Sequence, residues 1–205
     1  MPNATKHWVT VLLGMCLVGC AEPVRRQAEL TIEVEQLGSP GAFRVGGITN
    51  LPEGTELEVV AVRQVRYQSQ AVGNSALAPF VNVILDREVV NVEWGEWETI
   101  MQVYELRPDG RYQEVWESQT DVTALSRTFN EPVEFLAVLS LERQGSGFFT
   151  ELDNRYLNLE GPQVQFDADN NFFFVASESR FVPLPQERLQ DPREGGELLP
   201  EQQLR

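Results

Sequence analysis

The clearest regularity along the chain is alternation. From Glu29, the apolar residues Leu30, Ile32 and Val34 take one phase while Glu29, Thr31, Glu33 and Glu35 take the other. That period of two predicts a half-buried β-strand. A loop at Gly38-Ser39-Pro40-Gly41 leads to a short strand over 43–48, a turn over 50–54 and a valine-rich strand over 55–67. Residues 74–79 read as a loop, and 80–85 and 88–93 as the next strands. Segments 99–106 and 112–117 flank Arg107-Pro108-Asp109-Gly110, where proline presets φ and glycine supplies positive φ, so a hairpin is predicted. Residues 121–127 fit one helical turn capped by Asp121. Residues 133–141 are apolar in both phases and suit a central, covered strand. A second hairpin is predicted from 163–166 and 172–176 around residues 167–171. Nine or so short strands without a long helix predict an all-β fold, an antiparallel β-sandwich.

The first twenty residues are of another kind. Residues 8–19 run WVTVLLGMCLVG without a charge, behind a polar start with Lys6 as its only firm cation. A spanning helix needs about 20 apolar residues, so this stretch matches the apolar region of a signal peptide. Leu17-Val18-Gly19-Cys20 is similar to the bacterial lipobox. The resemblance implies cleavage before Cys20 and diacylglycerol on its thiol. One acyl chain holds a protein only marginally, whereas the two or three of a processed lipoprotein attach it stably. Gly46–Val62, GGITNLPEGTELEVVAV, resembles the strand–turn–strand opening of bacterial immunoglobulin-like lipoprotein domains and carries no catalytic residue. The expected organisation is a signal peptide at 1–19, a lipidated tether at 20–28, an immunoglobulin-like β-sandwich at 29–182 and a tail at 183–205. The tail holds four prolines and many Glu, Gln and Arg residues without periodicity, a composition that does not build a core. No segment after residue 20 is apolar enough to cross a bilayer.

Composition narrows the chemistry. Losing residues 1–19 removes Lys6, His7 and Cys16, and leaves no lysine, no histidine and no cysteine besides Cys20. A histidine base, a Ser-His-Asp triad, a lysine Schiff base and zinc sites of His or Cys are then unavailable. No disulfide can brace the body. The formal charge is −15, and −16 without Lys6. Such a surface repels nucleic acid and anionic headgroups and favours basic partners.

Candidate sites are few. Asp167, Asp169, Asn171 and Glu178 have the spacing of an EF-hand calcium loop, but Phe172 stands where the sharp-turn glycine belongs. A polar hairpin turn explains the same residues, and neither metal nor cofactor is expected. Residues 92–98, VEWGEWE, mix carboxylates with Trp94 and Trp97. The two indoles could form a sugar-stacking platform or pack into the core, as aromatics do. In alternating strands one member of each pair Phe148/Phe149 and Phe172/Phe173 should face outward, as a partner contact or under a second covered face. The favoured function is a non-catalytic envelope lipoprotein, anchored through Cys20 and serving as a protein-binding or structural module beside another envelope protein. A glycan-binding lipoprotein using Trp94 and Trp97 is the alternative, and a carboxylate hydrolase comes third.

Overall fold

The computed structural model describes residues 24–67, 80–119, 125–126 and 132–183. Cys20 with the signal peptide, the loop over 74–79, Asp121 and the tail from 184 onward lie outside the described residues. Among the described residues, no helix is long and apolar enough to cross a membrane.

The alternating segments form strands, as their period requires. They are β1 (Arg26–Gln27), β2 (Glu33–Gln36), β3 (Ala42–Ile48), β4 (Glu56–Tyr67), β5 (Phe80–Asn91) and β6 (Glu96–Gln102). The hairpin β7 (Tyr104–Leu106) and β8 (Tyr112–Glu114) precedes a short helix, α1 (Val115–Gln119). Then come β9 (Leu125–Ser126), β10 (Val133–Ser140), α2 (Phe148–Asn154), β11 (Leu157–Asn158), β12 (Val164–Phe166) and β13 (Phe172–Arg180).

The strands make a sandwich of two antiparallel sheets. The larger has the order β12-β13-β10-β4-β5, with β9 pairing the far end of β4, and the smaller has the order β2-β3-β6. Every other residue of the central strands points between them. Leu57, Val59, Ala61 and Val65 of β4, the Val133, Phe135, Ala137 and Leu139 row of β10, and Phe174 of β13 are all buried. Val34, Phe43, Val45, Trp97 and Met101 come from the smaller sheet. The Phe43 and Phe135 rings, 5.2 Å apart, join the two layers. Each Val, Leu, Met or Phe side chain among them contributes roughly 1.5–3 kcal/mol when fully buried.

The structure departs from the sequence reading in several places. Segment 99–106 is divided between β6 and β7, which lie in different sheets, and residues 115–117, read as strand, open α1. Residues 80–93 do not make two strands: β5 runs through, with a bulge that pairs Ala61 with Asp86 and Val62 with Ile84. The extra residue, Leu85, is buried in the core, and the Asp86 carboxylate accepts from the Arg87 and Gln102 amides. Residues 125–126, read as part of a helical turn, are a strand on β4. Phe148 and Phe149 lie on a helix rather than a strand. Arg26 and Gln27, read as tether, pair in parallel with β11, and Ala28 is buried. At the other boundary Pro183 offers its carbonyl to the Tyr104 hydroxyl at 2.8 Å.

One inward position of β4 is not apolar. Arg63 follows Leu57, Val59 and Ala61 in the same phase, and its side chain is only 4% exposed. Its Nε lies 2.8 Å from Oε1 of Glu114, which is wholly buried; the two meet as charges rather than as an aligned hydrogen bond. Glu114 Oε2 accepts the Trp116 indole N–H at 2.6 Å, and Arg63 Nη2 donates to the Val182 carbonyl at 3.2 Å. Removing one member of a buried pair strands the other charge, which costs about 3–5 kcal/mol, whereas replacing both is far milder. Arg63→Met or Glu114→Gln alone should therefore lower unfolding stability by about that amount in urea titration. The double variant should recover most of the loss. Simple addition of the two single losses would contradict the coupling.

Candidate functional site

Between β5 and β6 the chain reverses over two residues. Glu93 and Glu96 exchange both backbone hydrogen bonds, at 2.9 and 3.0 Å. Trp94 and Gly95, at φ 57° and 78°, form the tip. Two successive positive φ values are the pattern of a type I′ turn, which prefers Asn-Gly or Gly-Gly because such backbone crowds a Cβ. Tryptophan is a poor choice there, and left-handed backbone costs an L-residue roughly 1–2 kcal/mol. The side chain recovers nothing by packing, for Trp94 is 92% exposed.

The tip is nevertheless held firmly. The Trp94 amide donates to the Glu53 carboxylate oxygens at 3.0 and 3.2 Å. The Thr49 amide donates to the Gly95 carbonyl at 2.8 Å, and the Gly54 amide to the Val92 carbonyl at 2.8 Å. Beyond this single Glu93–Glu96 bridge, β5 stays in the larger sheet and β6 in the smaller. The turn is thus a corner between the layers.

Beside Trp94 lies a shallow depression of about 470 Å³, lined by Val90, Glu93, Trp94, Glu96, Trp97 and Glu98 among others, and by no arginine. Glu93 and Glu96 form no ion pair among the described residues, and Glu98 has only a 3.5 Å contact with Arg44. The larger groove, about 680 Å³, differs in kind. Its arginines are answered within it: Arg44 pairs with Glu35 at 2.6 Å, and Arg180 with Glu178.

The turn shares its end of the sandwich with the amino-terminal strand. Thr49 Oγ1 donates to the Glu29 carbonyl and Asn50 Nδ2 to the Gln27 carbonyl. Tyr156, the other aromatic with positive φ (53°) among the described residues, accepts the Arg26 amide through its carbonyl at 2.7 Å and is about half exposed.

The residues singled out from sequence are dispersed. Trp97 is only 3% exposed and belongs to the core, so it forms no shared platform with Trp94. Phe148 is buried under α2, and Phe149 is 54% exposed. Phe172 packs partly against the core and Phe166. Phe173 is half-buried on the outer face of the larger sheet, opposite Ser140. Asp167 closes its hairpin as an acceptor, taking the Asp169 and Asn171 amides on Oδ1 and the Asn171 side-chain amide on Oδ2. The Asn171 backbone bond, then its side-chain bond, holds the Asp167 carboxyl below the usual carboxylate range. Those oxygens brace the turn, and Glu178 lies along β13 with Arg180. Glu93, Glu96 and Glu98 are exposed, without the burial by which a glycosidase raises its acid. Sequence reading missed Glu53, Gly95 and Tyr156. Only Gly95 carried a signal, as the second residue of a two-residue turn between alternating segments.

No protein-family model, no curated protein and no solved structure matches the chain.

Since Trp94 strains the backbone and packs against nothing, Trp94→Asn should stabilise the protein by about 1 kcal/mol. Thermal unfolding should then shift upward by roughly 2–4 °C. A fall in midpoint would mean that the indole supports the fold.

Proposed function

We propose that this chain is a bacterial envelope lipoprotein, held on a membrane by lipid on Cys20, that binds another envelope protein and performs no catalysis itself. The lipobox-like Leu17-Val18-Gly19-Cys20 supports the anchor. The immunoglobulin-like resemblance of Gly46–Val62 is part of the same reading. The binding role rests on one observation: a fully exposed tryptophan kept at left-handed φ on a hydrogen-bonded corner. Local strain of that sort persists where the surroundings impose it, and it concentrates at functional sites. Tryptophan is also among the residues enriched at interface hot spots.

Location fits the role. Four residues separate Cys20 from Arg25, and the five Cα–Cα steps reach at most about 18 Å. Arg25 itself is paired to Asp153 on α2 at 3.0 Å. A lipid on Cys20 would keep the Trp94 end of the sandwich close to the bilayer, where a membrane-bound partner stands.

The test is a mild-detergent pull-down of the tagged protein from native membranes, with Cys20→Ala and Trp94→Asn beside it. Wild type should bring down a stoichiometric partner. Trp94→Asn should lose at least about tenfold of it, the loss of a hot spot worth about 2 kcal/mol. Cys20→Ala should leave the membrane fraction and lose the partner. Recovery of the wild-type protein alone, or a yield untouched by Trp94→Asn, would overturn the reading.

A further inference from the structure

Resting on that reading, we infer that the docking partner is a basic protein segment, whose arginine stacks on the Trp94 indole while Glu93, Glu96 and Glu98 answer its charge. The reasoning starts from what the depression lacks. Three exposed carboxylates and the face of an indole surround about 470 Å³, and no cation lines it. Glu53 is committed to the Trp94 amide, but Glu93 and Glu96 are committed to no cation. The larger groove shares Glu96, Trp97 and Glu98 with this depression, but there Arg44 pairs with Glu35 and lies 3.5 Å from Glu98, and Arg180 pairs with Glu178. On the Trp94 side Glu93 and Glu96 face no cation among the described residues.

A guanidinium matches this lining better than an ammonium. It is planar, stacks on an aromatic face and presents several donors at once to neighbouring carboxylates. The chain that carries it matters as well. The carboxylates of Glu93, Glu96 and Glu98 are spread along the depression beside Trp94. A polypeptide answers several of them along its length while its arginine stacks on the indole, which a free cation does not. A membrane fits less well, although Trp and Tyr favour bilayer interfaces, because the carboxylates around Trp94 would face anionic headgroups.

The experiment titrates the full chain in nonionic detergent with a short Arg-Gly repeat peptide and its Lys-Gly counterpart, and, after detergent removal, with vesicles of phosphatidylethanolamine with phosphatidylglycerol. The fluorescence difference between wild type and Trp94→Asn isolates Trp94. The arginine peptide should perturb that signal and bind several-fold tighter than the lysine peptide. Affinity should fall about tenfold in Trp94→Asn. It should fall as much in the triple variant Glu93→Gln, Glu96→Gln, Glu98→Gln, whose salt dependence should also flatten. Equal binding by Trp94→Asn would mean general attraction to an acidic surface and overturn the inference. A Trp94 signal with vesicles and none with peptide would overturn it in favour of the membrane. Neither result disturbs the protein-binding reading if the pull-down partner still depends on Trp94; a wild-type pull-down with no partner removes that reading itself.

Discussion

The buried pair of Arg63 and Glu114 is the constraint on which this fold turns. An arginine in the inward phase of β4, among Leu57, Val59, Ala61 and Val65, brings a full charge between two sheets that are otherwise apolar there. Water cannot answer it, so the chain must. Glu114 does so from the end of β8, with Trp116 of α1 satisfying its second oxygen. The small β7–β8 hairpin and α1 are thereby tied to the larger sheet by charge. The Val182 carbonyl receives another of the arginine's donors, which fastens the last described residues to the same place. A pair buried this deeply is costly to assemble and costlier to break. Its effect is to define one end of the sandwich and to fix the last described residues there.

The opposite end is organised by hydrogen bonds to backbone. Register alone separates the two. Arg63 pairs with Val133 and Val133 with Arg180, while Glu56 pairs with Asn91, just before the Trp94 turn. At that second end Glu53, Thr49 and Val92 clamp the turn, and Asn50 and Thr49 hold the incoming strand. The clamps matter because Trp94 opposes its own backbone. Asparagine or glycine would adopt this turn freely, so stability alone does not account for an indole displayed in water. The proposed binding role accounts for it, and rigidity would add to it: a preformed anchor loses little freedom on association.

Much of this was legible in the primary structure. Period-two alternation located most strands, and both predicted hairpins formed at Arg107–Gly110 and at residues 167–171. Arg63 continues the phase of Leu57, Val59 and Ala61, but reading 55–67 as a valine-rich strand did not single it out. What could not be read was its partner, because Glu114 is one of many glutamates and nothing local distinguishes it. The bulge at Leu85 hid β5's continuity, since a slip of one residue breaks the alternation. Trp94 and Trp97 look equivalent in VEWGEWE. They differ because Gly95 turns the chain between them, sending Trp97 into the core and leaving Trp94 at the tip.

The account stands on Trp94 meeting a protein in the cell. The most direct measurement is photo-crosslinking in native membranes from a benzophenone amino acid placed at position 94, with one at exposed Phe181, beyond the end of β13, as control. The account predicts one defined protein adduct from position 94 and none of that mass from position 181. Lipid adducts alone from position 94, or the same adducts from both positions, would contradict it.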